Sequence, residues 1–308
     1  MMYLSMDIRT SQKTLRNDLS ALYDSREAAT ISDWVMEHIT GLSRSQRLVR
    51  QHDPLLPVQL SEWHRCRDEL LRWRPVQYVI GTSWFAGMRL FVDERVLIPR
   101  PETEELVDWI VREIEVRKVG MDNSGVTDAK GSSAEGVFRI ADIGTGSGCI
   151  AIALKRKCPH DELWGLDASA AALQLAAENG EANHAEIIFR QTDILDKASR
   201  DKLPVFDLIV SNPPYVLQDD RQEMRENVLR YEPHMALFVD GSDPLLFYRA
   251  ICRFADTHLR SGGMLFFEIH ESMGEAMRSL LEGFSYREIS VAKDITGRDR
   301  MVKAVKHL

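Results

Sequence analysis

The side chains best suited to chemistry lie in one short stretch, Ser211-Asn212-Pro213-Pro214-Tyr215. It follows an apolar run, Phe206–Val210, that predicts a buried strand. Because two consecutive prolines cannot continue a sheet, the backbone leaves this strand stiff and extended. Asn212 is therefore expected at the carboxyl end of a strand, where open α/β sheets place their ligands. An amide, backbone carbonyls outside any ladder and an aromatic face can together bind a planar NH2-bearing group.

A glycine-rich turn is the second candidate site, with the sequence Asp142-Ile143-Gly144-Thr145-Gly146-Ser147-Gly148. It follows a predicted strand and precedes a predicted helix that begins near Cys149. Glycines let the backbone turn sharply and approach a ligand closely. The spacing is GxGxG, whereas most dinucleotide binders have GxGxxG. Alone, this turn is also explained as a purely structural one.

Two aspartates strengthen the prediction of a nucleoside site. Asp167 ends a predicted strand 19 residues after Gly148, where a carboxylate can accept both hydroxyls of a ribose. A ribose suits NAD as well as S-adenosylmethionine, but Asp142 at the head of the turn favours a cofactor with a cationic amino-acid end. Asp193 and Ile194 are predicted to flank the adenine, although Asp193 alone is also explained as a helix cap. We therefore predict S-adenosyl-L-methionine as the cofactor and S-adenosyl-L-homocysteine as the product.

Methyl transfer from a sulfonium needs a nucleophile held in line at about 3 Å. An amide nitrogen is a poor nucleophile because its lone pair is delocalised. Asn212 Oδ1 and the Pro213 carbonyl can accept both N–H hydrogens of a substrate amide, and these bonds strengthen as the nitrogen gains positive charge. Tyr215 can stack on the planar amide. From these residues alone, both a side-chain amide and adenine are possible acceptors.

The elements that must position these residues alternate between strand and helix. Strands are predicted at 137–142, 162–167, 185–190, 206–211, 263–269, 286–292 and 300–305. This alternation predicts a doubly wound, mainly parallel α/β sheet. Residues 10 to about 74 predict a small all-helical unit, Phe85–Val92 predicts a hairpin within β-like pieces that begin at Tyr78, and Lys118–Gly136 predicts a polar surface loop.

Composition limits the classes of function. The 308 residues are 44% hydrophobic and carry a formal net charge of -8, which argues against a protein that coats nucleic acid. Four scattered cysteines without a CxxC pair predict reduced thiols and no metal site. No apolar run approaches the roughly 20 residues that span a bilayer, and the first residues have no signal-peptide pattern. We expect a cytoplasmic protein without a membrane partner.

The charge is unevenly distributed along the chain. Residues 1–98 hold 13 Lys+Arg and 12 Asp+Glu, so residues 99–308 hold 26 and 35, a net charge of -9. Twelve of the 13 basic residues at the front are arginines. These arginines, among them Arg44, Arg47, Arg65 and Arg72, are expected either to meet an acidic partner or to lie on solvated helix faces.

Several long motifs in one order resemble the HemK/PrmC family of N5-glutamine methyltransferases. They are Arg74-Pro75-Val76-Gln77-Tyr78-Val79-Ile80-Gly81, the segment Leu97–Glu104, the glycine turn, Asn-Pro-Pro-Tyr at 212–215, Tyr231-Glu232-Pro233, and Gly297-Arg298-Asp299-Arg300. The resemblance implies a helical N-terminal domain (1–77), a β-hairpin linker (78–98) and a Rossmann-like, seven-stranded class I methyltransferase domain (99–308). It also implies methylation of the glutamine in the Gly-Gly-Gln loop of class I peptide chain release factors, which modulates translation termination.

By motif position, the resemblance assigns cofactor contacts to Asp142, Ile143, Gly144, Thr145, Gly146, Asp167, Ile194 and Asn212, and assigns the glutamine to Asn212, Pro213, Pro214 and Tyr215. Pro99–Glu102 is expected to border the same pocket, without an assigned role. The chain departs from the pattern at His270, which we interpret as structural, and at Met273.

Three other functions are alternatives to this one. They are an adenine-N6 methyltransferase acting on nucleic acid, a glutamine methyltransferase acting on a ribosomal protein, and a cofactor-binding module without activity. The acidic body argues against the first, and the last leaves residues 212–215 unexplained. We expect a monomer with a release factor as partner and no nucleic-acid substrate.

Overall fold

The computed structural model describes residues 6–124, 137–200, 202–217, 224–239 and 243–307. These residues divide into two compact units. The first unit extends to Thr82 and also contains Met224–Tyr231, and the second contains the remainder. The domain limits 1–77, 78–98 and 99–308 stay predictions, and they did not anticipate that Met224–Tyr231 groups with the first unit.

The first unit is helical, as its sequence predicts. Its helices are α1 (Ile8–Leu19), α2 (Ser25–Thr40), α3 (Arg44–Val49), α4 (Pro57–Leu70), α5 (Val76–Ile80) and α10 (Glu226–Tyr231). Asp24 caps α2 by accepting hydrogen bonds from the backbone N–H groups of Arg26 and Glu27, and Gly41 ends it at φ 65°. The apolar stripes of these helices form one core that includes Leu15, Leu19, Val35 and Leu70.

The front arginines differ in their surroundings. Arg47 is 3% exposed, and its Nη2 lies 2.5 Å from Asp33 Oδ1, so the hypothesis that it meets a partner is wrong. Arg65 forms ion pairs with Glu62 and Glu69 on its own helix. Arg44 and Arg72 are exposed and remain candidates for a partner.

The predicted hairpin is present, but the β-like pieces do not begin at Tyr78. Residues 78–80 belong to α5, and the hairpin consists of β1 (Thr82–Phe85) and β2 (Met88–Phe91). Ala86 (φ 47°) and Gly87 (φ 71°) form its turn, and positive φ at both central residues matches the twist of the two strands. The prediction failed at Tyr78 because Gly81, at φ 69°, ends a short helix and does not punctuate a strand.

The second unit contains the predicted doubly wound sheet. Among the described residues it has seven strands, β3 (Arg139–Ile143), β4 (Glu162–Asp167), β5 (Ile188–Gln191), β6 (Phe206–Ser211), β9 (Leu259–Glu268), β10 (Arg287–Lys293) and β11 (Asp299–Val305). Their order is β10-β11-β9-β6-β3-β4-β5. Neighbouring strands from β9 to β5 are parallel, whereas β11 is antiparallel to both of its neighbours, β9 and β10. This is the class I methyltransferase fold.

Helices cover both faces of this sheet. Residues of α6 (Pro101–Ser124) and α7 (Cys149–Lys157) share one apolar cluster with Leu208, Val210 and Phe266. Residues of α12 (Leu246–His258) and α13 (Gly274–Gly283) share the other with Ile209 and Phe267. Successive residues in the centres of β6 and β9 therefore point to opposite clusters, which requires Leu208–Val210 and Met264–Phe267 to be apolar.

Short elements complete the second unit. They are α8 (Ala170–Ala182), α9 (Lys197–Arg200), β7 (Val216–Leu217), α11 (His234–Leu237) and β8 (Phe238–Val239).

The predicted loop 118–136 is wrong at its start, because α6 continues to Ser124. There Lys118 Nζ lies 2.8 Å from Asp161 Oδ1, a contact with a distant residue that local composition does not reveal. Residues 125–136 lie outside the described part of the chain.

One ion pair in the sheet has a buried carboxylate. Asp207 is 2% exposed, its Oδ1 lies 2.6 Å from Arg260 Nη1, and its Oδ2 accepts a hydrogen bond from the Arg139 backbone N–H at 2.8 Å. Asp207→Ala leaves the guanidinium without its carboxylate, and we expect a loss of roughly 3–5 kcal/mol in the free energy of unfolding. Urea denaturation measures this loss.

Asp108→Ala is the matched control, because its pair with Lys157 at 2.9 Å is exposed on both sides. It is expected to cost about 0–1 kcal/mol. Equal losses in the two variants would contradict the buried-pair argument.

Candidate functional site

The carboxyl ends of β3, β4 and β6 meet at one edge of the sheet. β3 lies between the other two, and the crossovers turn to opposite sides there, which is the position where open α/β sheets bind ligands. The Ser211 hydroxyl donates a hydrogen bond to the Ile143 carbonyl at 2.6 Å and joins β6 to β3 at this edge. A cavity of about 660 Å³ opens above it, within the usual size range for small-molecule sites.

Most of the residues predicted for the site line this cavity together. They are Ile143, Gly144, Thr145, Gly146, Asp167, Asp193, Ile194, Asn212, Pro213 and Pro214. Two predicted residues are not among the lining residues, Asp142 and Tyr215. The cavity therefore joins the glycine turn, both nucleoside-site aspartates and the start of the Asn-Pro-Pro-Tyr motif.

The glycine turn depends on Gly148 for its close packing. Its φ is 80°, and a Cβ there would lie 3.1 Å from Ile152 Cδ1 and 3.3 Å from Ala176 Cβ. Both the backbone conformation and the approach of α8 therefore exclude a larger residue. The Gly144 N–H donates to the Leu166 carbonyl at 2.7 Å, which fixes the turn against β4.

Asp167 supports the turn and faces the cavity at the same time. Its Oδ2 accepts from the Gly146 backbone N–H at 2.9 Å, and its Oδ1 accepts from the Ser169 N–H at 2.9 Å. Burial raises the pKa of this carboxyl, and these backbone hydrogen bonds oppose the rise. A carboxylate has acceptor capacity for further donors, so it can also bind vicinal hydroxyls.

Asp142 lies behind the glycine turn. It is fully buried, and its Oδ2 accepts from the Thr145 hydroxyl at 2.6 Å. Its Oδ1 has no hydrogen-bond partner among the described residues. Burial raises the pKa of Asp142 to about 7, while the Thr145 hydroxyl and the Ala151 N–H hold it lower. Direct contact between Asp142 and a cofactor stays a prediction.

The segment that follows β5 contributes apolar and polar residues to the cavity wall. Ile194 is buried and lines the cavity beside Thr192. Asp193 is exposed, accepts from the Leu195 N–H at 2.8 Å and donates its own N–H to Ser199 Oγ at 3.0 Å. Asp193 therefore shapes this bend and also lines the cavity.

Glu268 was not singled out from the sequence, yet it lies next to Asn212. It ends β9, is 3% exposed, and accepts a hydrogen bond from the Thr103 hydroxyl at 2.6 Å, and the Asn212 side chain lies close enough to lower the pKa of its carboxyl group. Burial raises the pKa of Glu268 to about 7, and the Thr103 hydrogen bond opposes this rise. The two partners come from segments more than 50 residues away from Glu268, so no local pattern reveals the contact.

Tyr215 is not among the residues that line the cavity, and its predicted stacking on the substrate amide stays a prediction. Its ring centroid lies 5.9 Å from that of His270, and the ring contacts the core between the sheet, α12 and α13. Burial raises the pKa of the Tyr215 hydroxyl to about 12. His270 is exposed and bonded through Nδ1 to Ser272 Oγ at 2.8 Å, while Met273 is buried at the start of α13.

An ion pair joins two of the sequence motifs that carry no assigned role. Arg100 Nη2 lies 2.6 Å from Glu232 Oε1, and the Ile98 N–H donates to Glu232 Oε2 at 3.3 Å. Glu232 is 3% exposed. The segments on either side of this pair, Arg95–Arg100 and Pro233–Ala236, line the cavity. Their presence in two separate motifs was the available signal.

Cys149 places a thiol in the cavity wall at the start of α7. Burial raises the pKa of this thiol to about 12, and the neighbouring carboxyls of Asp142 and Glu268 add to the rise. The group is therefore a neutral thiol at neutral pH.

The chain is similar to known proteins over most of its length. Two family models match, the Methyltransferase small domain over residues 133–241 and the PrmC N-terminal domain over residues 13–81. A release factor glutamine methyltransferase of Flavobacterium psychrophilum is 39% identical over 92% of this chain and 94% of its own length. One of Bacteroides thetaiotaomicron is 37% identical over 94% and 97%.

A solved structure shares the fold alone. The hMettl16 catalytic domain, in complex with MAT2A 3'UTR hairpin 6, matches with a TM-score of 0.50 and 14% identity over 81% of each chain. Within the described residues, no helix is both long and apolar enough to span a membrane.

The raised pKa of Asp142 makes stability depend on pH. The folded-state value of about 7 lies above the ordinary 3.8, so the folded chain holds this proton more tightly than the unfolded chain. The contribution of Asp142 to stability therefore falls as the pH rises between these two values, by about 1.4 kcal/mol for each pH unit. Asp142→Asn does not ionise and is expected to flatten this loss when the free energy of unfolding is measured at about pH 4, 5.5 and 7.

Asp108→Asn, at an exposed position, serves as the control. Stability curves of Asp142→Asn and wild type that run parallel over this range would contradict the assignment.

Proposed function

The chain belongs to the release factor glutamine methyltransferase family, and we propose that it methylates the side-chain amide nitrogen (N5) of the glutamine in the Gly-Gly-Gln loop of class I peptide chain release factors. The methyl donor in this proposal is S-adenosyl-L-methionine. The observation that supports it best is one cavity lined by Asp167, the glycine turn and Asn212–Pro214. A nucleoside site and an amide site thus share one wall.

The residues of the cavity fit such a cofactor. Asp167 would accept the ribose hydroxyls, Ile194 and Asp193 would flank the adenine, and the turn at Gly144–Gly146 would lie against the methionine portion. When bound, the cofactor supplies an electrophilic methyl group on a sulfonium. Asp142, buried behind the turn, would add negative charge on the side of the cationic amino-acid end.

The start of the Asn-Pro-Pro-Tyr motif would hold the glutamine. Asn212 Oδ1 and the Pro213 carbonyl are acceptors at the cavity wall, and each can accept one N–H of the acceptor amide. Their rigid spacing comes from the two prolines, which prevent the backbone from rejoining a ladder. As the new N–C bond forms, the amide hydrogens become more acidic and both contacts strengthen, which lowers the barrier.

Tyr215 has a supporting role in this proposal. Its ring packs against His270 and the core, which keeps the exit of β6 in place. The proton of the methylated amide leaves after transfer, so the step needs no strong base beside the nitrogen.

The remaining expectations follow from the proposed substrate. Release factors act in translation, and we place the reaction in the cytoplasm with the enzyme as a monomer. A nucleic-acid substrate is disfavoured, because residues 99–308 carry a net charge of -9, which repels a phosphate backbone.

Asn212→Ala tests the amide-binding role. Removing the side chain eliminates one acceptor for the glutamine, so we expect methyl transfer to be abolished while cofactor binding weakens by no more than about 1–2 kcal/mol, one hydrogen bond. Calorimetry measures cofactor binding, and mass spectrometry of a release factor detects one added methyl on the glutamine.

Asn183→Ala is the matched control, because Asn183 lies at the end of α8 and is not among the residues that line the cavity. Full transfer by Asn212→Ala would overturn the mechanism. Transfer by the wild type to a nucleic acid or a ribosomal protein, and not to a release factor, would overturn the substrate.

Charge reversal at the exposed front arginines tests whether they recognise the protein partner. Arg44→Glu and Arg72→Glu are each expected to lower kcat/KM for the release factor roughly tenfold at low ionic strength, because they reverse charges that attract an acidic partner. The same reversal at Arg253, exposed on α12, should leave kcat/KM unchanged. Equal effects at all three positions would show only a dependence on net charge and contradict recognition by the front arginines.

A further inference from the structure

Glu268 and Asn212 occupy adjacent strand ends. In the parallel pairing of β6 and β9, Ser211 is opposite Phe267, so the residues that follow, Asn212 and Glu268, meet at the carboxyl edge. The backbone of Glu268 is held there, because the Tyr248 hydroxyl donates to its carbonyl at 3.0 Å. Asn212 lines the cavity, whereas Glu268 is buried beneath it.

The contacts of the Glu268 side chain determine which edge of the Asn212 amide can face it. The Thr103 hydroxyl donates to Oε2 at 2.6 Å, and the Asn212 side chain, beside Glu268 at the end of the neighbouring strand, favours the carboxylate form of the same group. A carboxylate only accepts hydrogen bonds. The edge of the Asn212 amide that faces Glu268 must therefore be the Nδ2 edge, and Oδ1 is the atom left to face the cavity.

We propose that Glu268 is a positioning residue, which in its carboxylate form orients the Asn212 amide so that Oδ1 accepts from the substrate glutamine. This inference rests on the proposed function. A protonated Glu268 can instead donate its O–H to Oδ1, which turns the Asn212 amide over. Nδ2 then faces the N–H groups of the substrate amide, and two donors oppose each other where a hydrogen bond is required.

The groups around Glu268 determine the pH at which its carboxyl group changes protonation. Burial raises the pKa of Glu268 to about 7, so the switch falls close to neutral pH. The charged and titratable groups that act on it come from several elements: Arg300 on β11, Glu102 on α6, Tyr248 on α12, Cys149 on α7, and Tyr215. Arg300 favours the carboxylate form, and Glu102 opposes it.

The pH profile of kcat distinguishes positioning from a structural role. In wild type, kcat for release factor methylation is expected to rise with pH, with a midpoint at about 7, as the carboxylate forms. Glu268→Gln keeps the shape but can both donate and accept, so kcat should fall on the order of tenfold to a hundredfold. The rise with pH should disappear, while KM and cofactor binding change little.

Thr103 supplies a second, milder test. Its hydrogen bond lowers the pKa of Glu268, so Thr103→Val should move the rise in kcat to higher pH, whereas Thr103→Ser keeps the hydroxyl and the wild-type midpoint. Unchanged kcat and pH profile in Glu268→Gln would overturn the proposal, as would an unshifted midpoint in Thr103→Val.

A measurement without substrate separates this inference from the proposed function. In protein labelled with ¹⁵N-asparagine, the side-chain NH2 resonances of Asn212 are expected to titrate with a midpoint near 7 in wild type, and not in Glu268→Gln. Absence of that titration in wild type overturns the positioning role. Its presence, together with no methylation of a release factor, would contradict the proposed substrate and leave the Asn212–Glu268 coupling in place.

Discussion

The parallel register of β4, β3, β6 and β9 is the constraint on which the site depends. Parallel strands end at one edge, so residues far apart in the chain meet there without any contact of their own. Asp167 follows from β4, the glycine turn from β3, Asn212 from β6 and Glu268 from β9. A one-residue slip of β6 would turn Asn212 to the opposite face and bury the wrong side chains. The two apolar clusters on the faces of the sheet therefore also fix the geometry of the cavity.

The sequence predicted the sheet well because its strands are apolar runs with sharp ends. Glu162–Asp167 and Phe206–Ser211 were located to the residue, and ten of the predicted site residues do share one cavity. The predictions from sequence failed where contacts between residues far apart in the chain determine the local structure. The pleat of β3 determines the side of the sheet on which the Asp142 side chain lies. Helix α6 continues past Lys118, whose amine contacts the distant Asp161. Glu268 and Asn212 are neighbours only because their strands pair. None of these contacts leaves a local pattern.

The ion pair of Arg100 and Glu232 has a similar architectural role on the other wall. It joins segments 132 residues apart that both border the cavity. Replacing Arg100 would leave the buried carboxylate of Glu232 without its cation next to the ligand space, whereas Arg100 itself is 35% exposed. The motifs around them are thus parts of a single clamp, although they are separated along the chain.

Cys149 introduces a question of chemical selectivity. A thiolate is a far better nucleophile than an amide nitrogen, and this thiol lines the cavity in which a methyl donor is proposed to bind. Burial and the carboxyls of Asp142 and Glu268 raise its pKa to about 12, so the competing nucleophile is almost entirely absent at neutral pH. Burial of this thiol, aided by the acidic residues beneath the site, therefore disfavours its alkylation and leaves the amide, the weaker nucleophile, as the acceptor in the proposed reaction.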